Sequence, residues 1–291
     1  MKKVFVYGTL RKHESNARLL ENARLIAEQC WTYGKLYDVG VGYPSVTKDD
    51  QDKVHGELYE VDEGQLKALN QLEGFDEFNP EYNLYDRVEQ EVFTDLGTFS
   101  AFVYIFNQEQ VKGLRRIESD DWKVDRLLSQ EMPLYYFAYG SCMDDSRFKL
   151  HGVDQFFQDL TGKGILVNYE LKFTKKSHDG SRADIVEKQG SIVEGKVYRI
   201  GSEALEYLHD REGARHHIYR PAFVDVYLDR KVYKNVLTYL VIQKTHESAP
   251  PLHYAKEIYQ GAQGCLSQEY IQGLEKKFID QFGFRLEDLK S

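Results

Sequence analysis

An α+β fold built twice in tandem is predicted, and two observations predict it. The first is a recurring junction. Val4-Phe5-Val6-Tyr7-Gly8-Thr9-Leu10-Arg11 and Tyr135-Tyr136-Phe137-Ala138-Tyr139-Gly140-Ser141-Cys142-Met143 each carry an apolar or aromatic run into Gly and a hydroxyl residue. A buried strand that breaks into a tight turn reads this way. The second is an internal match. Gly56-Glu57-Leu58-Tyr59-Glu60-Val61 lies over Gly195-Lys196-Val197-Tyr198-Arg199-Ile200, and 17 residues on from each Gly stands the Glu of Glu73-Gly74 or Glu212-Gly213. Tyr85-Asp86-Arg87 then answers Tyr219-Arg220 at a looser spacing. A repeat of about 130 residues is domain-sized, not a solenoid unit.

Each element can be justified in order. Residues 1–10 form a strand and turn, and 13–28 a short helix or irregular segment. Trp31–Tyr37 is a strand, Gly40–Pro44 a loop and Val54–Val61 a second clear strand. Asp62 caps a helix, with Gln65 three residues on and Leu66, Leu69 and Leu72 as its stripe. Gly74 ends it. Val88–Thr94 and Phe99–Phe106 are strands. Ser119 caps a short helix through Leu128, and Met132-Pro133 restarts the chain, which puts the domains at 1–130 (with a C-terminal linker helix) and 131–291. In the second unit Ile165–Phe173 is a strand and Lys175–Gly190 a polar excursion. Ser191–Ile200 is a strand, and Ser202 caps a helix closed by Gly213. Ala222–Leu228 and Val236–Gln243 are strands, and Ser267 caps a final helix bearing Ile271, Leu274, Phe278 and Phe282.

Composition limits the partners. The 291 residues are 42% hydrophobic and 29% charged, enough for two ordinary cores without staples. A net charge of −9 argues against nucleic acid as the main partner. Three widely spaced cysteines, Cys30, Cys142 and Cys265, make neither a disulfide framework nor a metal knuckle. No apolar run approaches the ~20 residues of a membrane span. Met1-Lys2-Lys3-Val4 enters a strand at once, without the apolar core of a signal peptide. The expectation is a soluble cytoplasmic protein.

The chemistry-bearing candidates are the paired Glu residues and the glycine turns. Glu73 and Glu212 each end a capped helix, where unpaired carbonyls disfavour a carboxylate and raise its pKa. Such a group can take and return a proton near neutral pH. The turns Gly8-Thr9-Leu10 and Gly140-Ser141-Cys142 bring backbone N–H groups toward one space, suited to a carboxylate or an oxyanion. A solvated helix end and a plain turn are the structural alternatives, and recurrence at matched positions weighs against both.

Tyr139-Gly140-Ser141, Asp210-Arg211-Glu212-Gly213-Ala214, Pro250-Pro251-Leu252-His253-Tyr254, Gly261-Ala262 and Leu266-Ser267-Gln268-Glu269-Tyr270 fall in an order that resembles the γ-glutamylcyclotransferases. Tyr7-Gly8-Thr9-Leu10-Arg11, Tyr43-Pro44, Leu69-Asn70-Gln71-Leu72-Glu73-Gly74, Tyr85-Asp86-Arg87 and Ser119-Asp120-Asp121-Trp122 resemble the shorter γ-glutamylamine cyclotransferase branch. The resemblance implies a mixed β-barrel flanked by short helices in each domain, with a cavity at one end. It implies Glu73 and Glu212 as acid/base residues. It also implies a substrate site made by Tyr7, Gly8, Thr9, Leu10 and Tyr85 in one domain and Tyr139, Gly140, Ser141, Cys142 and Tyr219 in the other. The substrate would be a small γ-glutamyl compound, cyclised to 5-oxoproline with no metal or cofactor. Cys142 departs from the family's usual Asn, and Asn70 from its usual Asp.

Rival readings are a small-molecule-binding barrel without turnover, a chain with one active domain, and an amidohydrolase using Cys142. His209, His216 and His217 lack the spacing of a metal site. Gly162-Lys163-Gly164 and Gly40-Val41-Gly42 lack the rest of a phosphate-loop fingerprint.

Overall fold

The computed structural model describes residues 1–130 and 133–290. The expected restart at Met132 lies outside them. The chain divides into two compact units, 1–130 and 131–291.

In the first unit β1 (Lys2–Val6), β2 (Arg24–Tyr33), β3 (Lys35–Asp38), β4 (Pro44–Thr47), β5 (Lys53–Val61), α1 (Glu63–Leu72), β6 (Asp86–Thr94), β7 (Gly97–Ile105), β8 (Arg115–Arg116) and α2 (Trp122–Leu128) follow in order. Five strands close a barrel in the order β1-β5-β2-β6-β7, and β3 sits between β4 and β8 in a small second sheet. The barrel is mixed: β1 runs antiparallel to β5, with Val6 opposite Glu57, and parallel to β7, with Val4 opposite Phe102.

The second unit repeats the scheme with β9 (Leu134–Ala138), α3 (Asp145–Leu150), β10 (Leu160–Ser177), β11 (Gly180–Ile200), α4 (Ser202–Arg211), β12 (Tyr219–Leu228), β13 (Lys231–Val241), α5 (Leu252–Ala262), α6 (Gln268–Lys276) and α7 (Leu286–Lys290). Its barrel closes as β10-β11-β9-β13-β12. Here Ala138 opposes Lys196, and Tyr136 pairs in parallel with Leu237. Superposing the two registers makes Tyr7 equivalent to Tyr139, Gly56 to Gly195 and Tyr104 to Tyr239.

The unbroken apolar runs at β1 and β9 have a physical cause. Phe5 and Tyr7 pack into one buried cluster with Cys30, Leu58, Val103 and Trp122, while Val4 and Val6 pack into another with Leu69, Tyr85 and Tyr104. A strand covered on both faces has no polar side to alternate with. The matched glycines mark a crowded spot. A Cβ on Gly56 would lie 2.3 Å from the Val6 carbonyl oxygen, and one on Gly195 would lie 2.3 Å from that of Ala138. Neither barrel could close around a larger residue there without shifting its first strand.

Several elements differ from expectation. The strand expected at Trp31–Tyr37 is two strands, β2 and β3, broken at Gly34, and β2 begins at Arg24. Lys175–Gly190 is no excursion: β10 continues to Ser177 and β11 starts at Gly180, so the stretch is a β-hairpin arm. The N-cap of α2 is Asp121, whose side chain accepts the Val124 N–H at 3.1 Å, not Ser119. Gly201, not Ser202, precedes α4. The helix from Ser267 stops as an α-helix at Lys276 and continues through a π turn at 277–281.

Candidate functional site

Each unit holds one cavity where its first strand breaks. In the first unit, Tyr7 leaves β1 with its hydroxyl donating to the Tyr104 carbonyl at 2.6 Å. The chain then turns, and the Arg11 N–H returns to the Gly8 carbonyl at 3.0 Å. Gly8 is obligatory: a Cβ there would stand 2.7 Å from the Pro44 ring. Asn16 ties the turn down, donating from its side chain to Thr9 Oγ1 at 3.0 Å and from its backbone to the Thr9 carbonyl at 2.9 Å.

Opposite stands the end of α1. The helix starts at a capping box in which Asp62 accepts the Gln65 N–H at 2.8 Å and Gln65 accepts the Asp62 N–H at 3.0 Å. It ends with Glu73 as C-cap and Gly74 at φ +59°. That positive φ explains the glycine. Tyr85 closes the wall, its N–H on the Glu73 carbonyl at 3.2 Å and its hydroxyl on the Pro44 carbonyl at 3.0 Å. Asn70, the departure from the family's usual Asp, accepts from the Tyr104 hydroxyl at 2.6 Å and from Arg87 at 3.0 Å. The cavity measures 340 Å³, and Tyr7, Gly8, Thr9, Leu10, Glu73 and Tyr85 all line it. Burial pushes the Glu73 carboxyl up to about 7.

The second unit rebuilds these contacts. The Tyr139 hydroxyl donates to the Tyr239 carbonyl at 2.6 Å, and the Met143 N–H returns to the Gly140 carbonyl at 3.1 Å. Tyr219 donates to the Ala183 carbonyl at 2.7 Å, as Tyr85 does to Pro44, which makes Ala183 and Pro44 equivalents. Glu212 is the C-cap of α4, before Gly213 at φ +62°. The cavity measures 260 Å³ and is lined by Tyr139, Gly140, Ser141, Cys142, Glu212 and Tyr219. Burial raises the Glu212 carboxyl, opposed by the Arg211 guanidinium and a hydrogen bond from Cys142.

That last bond is part of a chain. Arg211 Nε donates to Cys142 Sγ at 3.1 Å, and the Cys142 thiol donates to Glu212 Oε1 at 3.4 Å. Another Arg211 nitrogen donates to Ser141 Oγ at 3.0 Å. Burial pushes the Cys142 thiol up to about 11, despite Arg211. At neutral pH it is a protonated donor and a poor nucleophile, which weighs against the amidohydrolase reading. Burial likewise holds Tyr7, Tyr139 and Tyr219 well above the ordinary phenol value, so their hydroxyls stay protonated.

Both sets of candidate residues therefore gather in space, one set per cavity. Sequence reasoning left out other lining residues: Tyr43, Pro44, Leu72 and Tyr104 in the first cavity, and Arg147, Arg182, Arg211 and Tyr254 in the second. Tyr43-Pro44, Leu72, Arg211 and Tyr254 stood inside quoted motifs, Leu72 also in the apolar stripe of α1, but none was assigned to the site. Arg182 sat in the stretch read as an excursion. His209 hydrogen-bonds the Tyr239 hydroxyl at 3.0 Å. Among the described residues no three His, Cys, Asp or Glu side chains group to hold a metal, and no helix is long and apolar enough to cross a membrane.

Residues 4–124 match the family model described as γ-glutamyl cyclotransferase, AIG2-like, and residues 192–274 match that of the AIG2-like family. YkqA of Bacillus subtilis (strain 168), provisionally named a γ-glutamylcyclotransferase, is 44% identical over 276 residues, covering 94% of this chain and 96% of its own. The YkqA crystal structure superposes with a TM-score of 0.84 at 42% identity, over 94% of this chain and 96% of that one. The γ-L-glutamyl-butirosin B γ-glutamyl cyclotransferase of Niallia circulans is 37% identical over 127 residues, which are 44% of this chain and 79% of its own.

Proposed function

The chain belongs to the γ-glutamylcyclotransferase family, and from that premise we propose that each barrel releases 5-oxoproline from a small γ-glutamyl compound, with Glu73 and Glu212 as the acid/base residues. The observation that carries this reading is the repeated placement of a burial-raised carboxyl at a cavity wall beside a glycine turn.

The reaction asks little else of the protein. The substrate carries its own nucleophile: the α-amine closes a five-membered ring on the γ-carbonyl, so proximity comes from substrate folding. The Glu carboxylate takes a proton from the ammonium. The amine attacks, and negative charge moves to the former carbonyl oxygen. As that oxyanion collapses the C–N bond breaks: the carboxylic acid gives its proton to the departing amine, and the regenerated carboxylate takes the surplus proton from the ring nitrogen and releases it to solvent. Products are 5-oxoproline and a free amine. A carboxyl near 7 suits this shuttle, because an α-amino group titrates at about 8. The first amides of the turns have no partner inside the turn, as at any helical start, and are the donors assigned to the oxyanion or the substrate carboxylate. The setting is the cytoplasm.

Replacing Glu73 or Glu212 by Gln tests the reading. Each change should lower 5-oxoproline release at its own site by about 10²–10⁴-fold, while circular dichroism stays unchanged. Full turnover in the double variant would reject both roles.

A further inference from the structure

Three residues before each Glu, on the last turn of its helix, a side chain reaches a tyrosine of the cavity wall. Asn70 on α1 accepts from the Tyr104 hydroxyl at 2.6 Å, and His209 Nδ1 on α4 lies 3.0 Å from the Tyr239 hydroxyl. Tyr104 lines the first cavity and Tyr239 the second. A phenol has one proton to donate. Whatever receives it decides whether the hydroxyl offers the cavity a lone pair or an O–H.

The two partners differ in kind. Arg87 also donates to Asn70 Oδ1, at 3.0 Å, which keeps the amide from flipping and holds that oxygen toward Tyr104. An amide does not titrate near neutral pH, so Tyr104 always has the same acceptor. His209 does titrate. It is half-buried, and the Tyr239 ring meets it edge-on with ring centres 5.8 Å apart. The charges around it are Glu206 and Asp210 on its own helix and Arg215 in the turn that follows, and Arg215 pairs with both carboxylates. Burial lowers the imidazole below its ordinary value, with Glu206 and Asp210 opposing and Arg215 assisting. Burial first, and the Glu212 charge second, raise the Tyr239 hydroxyl well above the ordinary phenol value. Tyr136 on β9, the titratable neighbour on the other side of Tyr239, is raised as well. Near neutral pH the pair is therefore a phenol beside an uncharged imidazole, whose Nδ1 can accept.

We propose that His209 is a positioning residue that sets the direction of the Tyr239 hydroxyl in the second site. This deepens the cyclotransferase reading and rests on it. While His209 is neutral, its Nδ1 takes the phenol proton and Nε2 carries the imidazole proton. The Tyr239 oxygen then turns a lone pair to the cavity and accepts from the α-ammonium that Glu212 must deprotonate. When His209 gains a proton from solvent, both ring nitrogens are donors, and Nδ1–H now donates to the Tyr239 oxygen. The phenol O–H turns to the cavity, where the Glu212 carboxylate accepts it in place of the ammonium. The second site thus holds an orienting bond that acid reverses. The first, with Asn70 in that place, does not.

The test follows 5-oxoproline release from γ-glutamyl-alanine against pH in the full chain carrying Glu73→Gln, where the second site alone turns over. The quantity read is kcat/KM at about pH 7.5 divided by kcat/KM at about pH 5. His209→Asn, which installs the first unit's fixed acceptor, should shrink that ratio by about threefold or more. His209→Phe, which leaves the hydroxyl no acceptor on α4, should lower kcat/KM at both pH values. In a Tyr239→Phe background His209→Asn should no longer move the ratio, because the effect passes through the hydroxyl. A ratio that His209→Asn leaves in place overturns the proposal, and so does a change that persists without the hydroxyl. If no 5-oxoproline forms at all, the cyclotransferase reading fails separately, and nitrogen NMR of the His209 ring still decides. A proton on Nε2 and none on Nδ1 at about pH 7.5, with a titration midpoint that rises in Tyr239→Phe, supports the orienting bond. A proton on Nδ1 at that pH, or a midpoint that Tyr239→Phe does not move, overturns it.

Discussion

Around Glu73 the wall is Leu10, Tyr43 and Leu72; around Glu212 the same three places are Cys142, Arg182 and Arg211. Behind those walls almost nothing differs. Tyr7 and Tyr139 bind a strand carbonyl at the same 2.6 Å, and Tyr85 and Tyr219 bind the matched loop carbonyls of Pro44 and Ala183. Each buried hydroxyl would be left unsatisfied if its partner moved, which costs ~1–3 kcal/mol. At the wall, Leu10 and Leu72 carry no polar atom to satisfy, whereas Cys142, Arg182 and Arg211 are tied to Glu212, Asp179 and Ser141. The contrast separates side chains whose bonds hold the carboxyl and the turn in place from side chains that set the charge of the wall.

Beneath the turns the units part again, and here the largest effect is expected. In the first, Arg11 is buried between Glu57 at 3.2 Å and Asp121 at 2.6 Å, with Lys123 also at Glu57, 3.6 Å away. These side chains are no more than 3% exposed, so each charge depends on its partner. The equivalents in the second unit are Met143 and Lys196, the latter reaching Asp145 at 3.3 Å, where the carboxylate is 60% exposed. Asp121→Ala should therefore cost the first unit ~3–5 kcal/mol by stranding Arg11 and uncapping α2. Both tryptophans, Trp31 and Trp122, are in that unit. Denaturant unfolding followed by tryptophan fluorescence reads it alone. Asp145→Ala should leave that midpoint in place. A loss under about 1 kcal/mol for Asp121→Ala would mean that Glu57 satisfies Arg11 unaided.

What was legible in the sequence was local. The capping box of α1, the positive-φ glycines after each Glu and the paired strand-to-turn junctions are all written within a few residues. The arm at 175–190 was not legible, because its polar residues carry no two-residue alternation and its identity comes from long-range pairing. Lys175 opposes Arg182, and Asp184 is buried against Thr174 and the Val241 N–H. Arg182 escaped notice for the same reason: it reaches its cavity by pairing across a hairpin, not by spacing from Glu212. The start of β2 at Arg24 was missed because Arg24 and Leu25 are exposed at a barrel rim.

The second effect concerns protons. Burial alone holds Glu73 up at about 7, whereas at Glu212 burial raises the carboxyl and Arg211 pulls it back. The base form is needed, so at the first site kcat/KM should rise as pH climbs through about 7. Leu72→Arg should move that limb to lower pH, and Arg211→Leu should move the second site's limb higher. Stability gives a sign check. A carboxyl raised from 4.5 to about 7 on folding favours the fold while protonated and loses that contribution as pH rises between those values. The Tm advantage of Glu73→Gln should thus grow from pH 4.5 to 7 and stay level above. A Tm difference that is the same at pH 4 and pH 8 would mean that Glu73 is solvated.

The smallest effect is expected at Cys142, despite its central place. Its thiol links Arg211 to Glu212, but S–H is a weak donor and 3.4 Å is a loose contact. If the turn works through backbone N–H groups, the side chain at this position only tunes the carboxyl. Cys142→Asn, which installs the family's usual residue, should change kcat/KM at the second site by less than about tenfold. Cys142→Ala should act mainly on the pH limb, because the neighbouring Arg211 would lose one partner and Glu212 one donor. Alkylation is uninformative for a thiol held this high and this deep, so the substitutions are the sharper measurement. A hundredfold loss in Cys142→Asn, with circular dichroism unchanged, would show that this wall is not interchangeable with that of its relatives and that the second site has been rebuilt around sulfur.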